Sequence, residues 1–260
     1  TKDSGGLTYE KSFVLTVIEL RALTKELARA HTPEPFYSID FAAERPIGEA
    51  YSIYCAFNEC DFIIPDYYNS IGKDAFSYWN LTSVVIPDSV TSIGTAAFLY
   101  NRLTSVDIGV SVTSIGYQAF YSNDLTSVVI PDSVTSIGNK AFYENQLTSL
   151  DIGDSVTSIG NQVFYSNDLT SVVIPDSVTS IGNKAFYENQ LTSLDIGDSV
   201  TSIGNQAFAS NDLTSVVIPD SVKSIRFGAF WNNKLTSVEI GNSVTNIGEK
   251  VFYENELTSI

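Results

Sequence analysis

The sequence predicts a solenoid: a stack of 22-residue coils, mostly β, around one continuous core. Three observations predict it. Residues 125–168 recur almost letter for letter as 169–212, the two differences being Val163 against Ala207 and Tyr165 against Ala209. Isoleucine recurs every 22 residues from Ile71 to Ile247, and Leu81 to Leu257 and Phe76 to Phe252 keep the same step. A fixed period of roughly 20–50 residues marks a solenoid, a propeller or an array.

The residues of one unit, 147–168, justify its elements. Leu150 and Ile152 alternate with polar neighbours, which is strand spacing and puts both side chains on one face. Gly153 ends that strand, as Pro131 does one unit earlier. Val156 and Ile159 return the chain to the core through a second short strand. Residues 161–165 form a short helical or 3-10 turn that drops Phe164 inward. One such unit cannot bury its apolar side alone, but a stack can. With so few residues left for a long helix, the unit points to a leucine-rich-repeat-like solenoid.

Stacking turns each repeated residue into a column. The phenylalanines become an aromatic spine. Asn101, Asn123, Asn145, Asn167, Asn189, Asn211, Asn233 and Asn255 each follow a Phe by three residues. An amide at the same place in every coil is expected to form a ladder that pairs turn backbone groups otherwise buried without partners.

The pattern Ile-Gly-x-x-Ala-Phe-x-x-Asn-x-Leu-Thr-Ser-x-x-Ile-Pro, over about residues 56–260, resembles the BspA-type leucine-rich repeat family. That resemblance implies a curved right-handed solenoid, an extracellular or cell-surface location, and adhesin-like binding of proteins or other cells. Asn stands here where that family often has Cys, which leaves the fold intact and the partner unnamed.

The expected organisation is an N-terminal helix and cap region over 1–50 and the solenoid over 51–260. In residues 9–30, Phe13, Val17, Leu20 and Leu27 share one helical stripe, with charged residues opposite. Pro33 and Pro35 end the helix. Its apolar face would cap the first open coil, or bind a partner. Cys55 and Cys60 are the only cysteines, either bonded in a secreted chain or plain residues of the stack. The chain has no methionine, and residues 257–260 stop inside an expected strand. It is therefore expected to be a processed product or a fragment of a longer protein.

The net charge of −16 argues against nucleic acid and against docking on anionic membranes. Residues 81–260 hold 18 acidic and 7 basic residues. No apolar run approaches the ~20 residues of a membrane helix. No metal or other cofactor is expected, since two Cys and His31 fall short of the ligands a structural zinc site needs. His31 has no nucleophile at a telling distance, and identical coils offer no unique catalytic constellation. The expectation is therefore not an enzyme.

The informative surface is the face of the first strand, concave in the fold the resemblance implies. Between its two inward residues the position alternates as Val85, Asp107, Val129, Asp151, Val173, Asp195, Val217 and Glu239. The corner that follows alternates Pro and Gly, so the true unit is 44 residues. Such a strip suits a basic extended polypeptide or a glycan, and is equally consistent with ordinary strand-surface design. A second acidic column runs through Asp88, Asp132, Asp154, Asp176, Asp198 and Asp220, tolerable only if solvated or bridged by cations. Tyr121, Tyr143, Tyr165, Tyr187, Trp231 and Tyr253 form an aromatic row that suits protein or sugar contacts, or packing between coils. The threonine row from Thr82 raises ice binding, which adjacency argues against, because Thr and Ser neighbours cannot both face out of one strand. The two readings of function are a binding protein and a structural spacer or scaffold with no dedicated ligand.

Overall fold

Leu, Ile, Val and Phe at fixed steps of 22 residues meet in the interior, and the coil winds so that each stacks on its own copy. The computed structural model describes residues 37–39 and 61–258. The chain divides into two units, Thr1–Pro35 and Phe36–Ile260, and every described residue lies in the second. The expected helix, His31, Cys55 and Cys60 lie outside the described residues. No helix among the described residues is long and apolar enough to cross a membrane.

Each coil has a long strand, such as Ser149–Ile152, a corner, a short strand, such as Ser158–Ile159, and a turn. The short strands form one parallel ten-stranded sheet with neighbours in register, as in Ser158 to Ser180 and Ile159 to Ile181. The second strand expected from Val156 and Ile159 is therefore present.

The long strands group differently. Asp61–Ile63, Ser83–Ile86 and Ser105–Ile108 make one sheet, and the later ones pair in twos, Ser127–Ile130 with Ser149–Ile152 and so on. Every break falls where an Asp/Gly rung meets the next Val/Pro rung. The incoming rung there ends in Pro131, Pro175 or Pro219, which has no N–H for the preceding Ile carbonyl. In the last pair Gly241 takes that role, its N–H donating to the Ile218 carbonyl at 2.9 Å. The glycine is also required sterically. A Cβ on Gly153 would sit 2.5 Å from the Pro131 carbonyl oxygen, and Gly197 meets Pro175 in the same way.

The turn at 161–165 drops Phe164 inward as expected, but it is not wound as helix. Gln162 and Ser166 take left-handed backbone conformations, φ 57° and 54°, and the same two places are left-handed in every coil. Non-glycine residues rarely go there. The alternation aims backbone donors along the stack. Gln162, Phe164 and Ser166 N–H give to the carbonyls of Asn183, Ala185 and Tyr187 at 2.8–2.9 Å. Strand and corner donors run the other way, as from Gly182 N–H to the Ile159 carbonyl. Between them the two sets of bonds run through turn, strand and corner and pair backbone groups that burial would otherwise orphan.

The Phe spine is fully buried from Phe98 to Phe230, with successive rings stacked 5.2–5.6 Å apart. The Asn ladder is present and reaches one coil back. Asn167 Oδ1 accepts from Leu147 N–H at 3.1 Å, and its Nδ2 donates to the Phe142 carbonyl at 3.0 Å. Asn101 to Asn233 are all buried and repeat this bond pair.

Candidate functional site

In a long strand the side chains alternate between core and water. Val128 and Ile130 go in, and Ser127 and Val129 go out. The sequence-predicted strip is thus on the surface. Val129, Val173 and Val217 are 62%, 65% and 59% exposed, and Val85 is less so. Asp107, Asp151, Asp195 and Glu239 are all exposed. Register places each acid beside a valine: Val85 by Asp107, Val129 by Asp151, Val173 by Asp195, and Val217 by Glu239. Among the described residues the ion pairs are Lys73–Asp74 and Lys234–Asp212, so none of these four acids is neutralised.

The other predicted columns turn out to be spoken for. Asp132 Oδ1 accepts from Asp154 N–H at 3.0 Å, Asp176 from Asp198 N–H at 2.8 Å, and Asp220 from Asn242 N–H at 2.7 Å. Carboxylates on the Pro rungs therefore cap the next coil's backbone, a role the expectation of solvation or bridging cations did not contain. Thr126 and Ser127 both face water, contrary to the adjacency argument, because the strand begins at Ser127 and Thr126 precedes it. The threonine hydroxyls bond back to the stack, as from Thr148 Oγ1 to the Thr126 carbonyl at 3.2 Å.

The tyrosines pack between coils. Tyr121, Tyr143, Tyr165 and Tyr187 are half-buried and stack ring on ring at 4.5–5.0 Å. Burial first, and then Glu144 or Glu188, pushes the phenols of Tyr121, Tyr143 and Tyr165 above their ordinary value. A raised folded value keeps this contribution to stability whole below the unfolded tyrosine pKa of about 10 and removes it as pH climbs further. The thermal unfolding midpoint should therefore fall above about pH 10, and Tyr121→Phe, Tyr143→Phe and Tyr165→Phe combined should make that fall shallower; an unchanged fall would contradict this.

One further surface lies after the short strand of each coil. Asn139, Asn161, Asn183 and Asn205 form an exposed to half-exposed column. Asn161 N–H donates to Asn139 Oδ1 at 2.7 Å, and Asn183 and Asn205 repeat the step at 2.8 Å. Beside them runs the column Gln162, Lys184, Gln206, which with Asn161, Asn183 and Asn205 lines a shallow open groove of about 410 Å³. A smaller adjoining hollow of about 190 Å³ reaches Arg226. Sequence reasoning missed this surface. Its signal was the same 22-residue step, in a column next to the glycines.

The BspA type Leucine rich repeat region family matches in six copies over residues 49–148 and 135–258. No curated protein matches the chain significantly. Among solved structures, a leucine-rich repeat protein from Bacteroides ovatus ATCC 8483 is 25% identical with a TM-score of 0.58, covering 77% of this chain and 66% of that one. The pneumococcal vaccine antigen PcpA is 21% identical with a TM-score of 0.60, covering 75% and 58%. This chain therefore spans just under two thirds of the first and 58% of the second. With the family match running through nearly every described coil, the chain belongs to the BspA-type leucine-rich repeat family.

Proposed function

We propose that the protein is a non-enzymatic binding protein, adhesin-like and displayed at or beyond the cell surface, that takes a macromolecular partner along the long-strand face. The observation that supports this is the outward valine column. The core is closed without Val129, Val173 and Val217, so folding does not require apolar residues there. Each stands beside an unneutralised acid, which suits a partner offering cations and apolar groups in alternation. Successive coils repeat the contact, so weak single contacts add up along one extended partner.

The test uses a synthetic peptide of alternating lysine and leucine as the probe. The wild-type chain should bind it in a salt-sensitive way. Asp107→Lys, Asp151→Lys, Asp195→Lys and Glu239→Lys combined should abolish binding and leave the thermal unfolding midpoint within a few degrees, because all four side chains are exposed. Unchanged binding would reject this face. Absence of binding by the wild type would favour the other reading, a rigid spacer or scaffold.

A further inference from the structure

We infer a second binding site, independent of the strand face: the groove along Asn161, Asn183 and Asn205, continued one rung back by Asn139, takes a linear, uronic-acid-containing polysaccharide. Four features of the groove lead there. The first is preorganisation. Each of Asn139, Asn161 and Asn183 has its Oδ1 fixed by the next coil's N–H, while its Nδ2 donor has no protein partner among the described residues. A row of amide donors is thus held in place before any ligand arrives, which lowers the entropic cost of binding.

The second is pitch. The donors recur once per rung, and hydrogen-bonded parallel rungs lie ~4.8 Å apart. Successive pyranose rings advance a linear glycan by a comparable step, whereas the side chains that an extended peptide turns to one face recur only every ~6.6 Å. A glycan can therefore meet one amide per ring.

Charge is the third. The chain as a whole carries −16, yet Lys184 lines this groove, Arg226 lines the hollow adjoining it, and Lys140 stands one rung before Gln162 in the same column. Lys184 lies over the Tyr187 ring at 4.8 Å and Lys140 over Tyr143 at 5.4 Å, in place and in no ion pair among the described residues. A local cationic strip on an acidic molecule selects anions and steers them to that strip. Glu144 and Glu188 follow the tyrosines and bound the strip on its far side in sequence.

The fourth is the pair of ends. The Asn column is bracketed by Tyr117 one rung before and Phe227 one rung after, 43% and 37% exposed, as flat apolar platforms for a sugar ring. Features that would serve a peptide are missing from the groove. Its lining is amide and ammonium with no apolar side-chain pocket, and the adjacent short strand Ser158–Ile159 is already paired on both sides.

The probe is an oligogalacturonide long enough to cover four rungs, titrated calorimetrically into the whole chain. Asn161→Asp with Asn183→Asp keeps the Oδ1 acceptor and removes the donor, as Asp132 already does elsewhere in the stack. This pair, and separately Lys184→Gln, should weaken binding ten-fold or more with an unchanged unfolding midpoint. A neutral oligogalactoside and poly-glutamate should bind at least ten-fold more weakly than the oligogalacturonide, and the strand-face charge reversals should leave its affinity unchanged. No binding by the wild type, equal binding by the Asp pair, or preference for poly-glutamate would each overturn the inference.

Discussion

Replacing Asn167 by alanine is expected to remove about 2–5 kcal/mol of folding stability, read as a shift of the urea midpoint at constant slope. The amide is buried and serves two backbone groups, the Leu147 N–H at the start of its own coil and the Phe142 carbonyl of the coil before. Alanine leaves both without a partner in a place water does not reach. Each orphaned group costs roughly 1–3 kcal/mol, well above the ~1 kcal/mol of a typical bond lost at the surface. Asn161→Ala is the control. That amide also bonds the next coil but is exposed, so water replaces it, and the loss should stay under about 1 kcal/mol. Equal shifts for the two variants would show that the inner ladder is not what closes the turns.

Phe164→Ala should cost about 3–5 kcal/mol. The ring is fully buried and stacks on Phe142 at 5.6 Å and on Phe186 at 5.2 Å. Its removal opens a cavity between layers that backbone bonds hold at fixed spacing, so the walls cannot close on it. In a stack where each coil touches only its neighbours, the damage should be local. Amide hydrogen exchange is expected to quicken in the coils carrying Phe142, Phe164 and Phe186 and to change little near Phe98 or Phe230. Uniform quickening along the whole chain would mean that the stack unfolds as one unit, with no weak joint.

The period made most of this legible in advance. Once Ile71, Leu81 and Phe76 are seen to repeat in step, their columns follow, and so does the rule that a buried repeated Asn must pair backbone. What the columns could not show is where a polar side chain spends its bonds. Asp132 looks like a like-charge problem in sequence, and in space its carboxylate holds the next coil's N–H. Thr126 and Ser127 could not be placed by alternation alone, because the strand's first residue sets which neighbours alternate. The turn was expected as a short helical or 3-10 segment since nothing in Gln162 or Ser166 announces a left-handed backbone; the demand comes from the coil above. The groove went unread because Asn139 to Asn205 look like ordinary surface polarity until the fold aligns their amides.

The corner where proline and glycine trade places has an arithmetic consequence. A glycine rung lies tight on the proline rung before it, with no room for a side chain, and the next proline rung begins a fresh sheet. Proline on proline is already accommodated where the Pro87 rung follows the Pro65 rung within one sheet, but dropping or adding a single coil further on would set acid directly against acid. Adding or removing two coils at a time keeps each acid beside a valine, and the near-identical halves of 125–212 are one such doubled step.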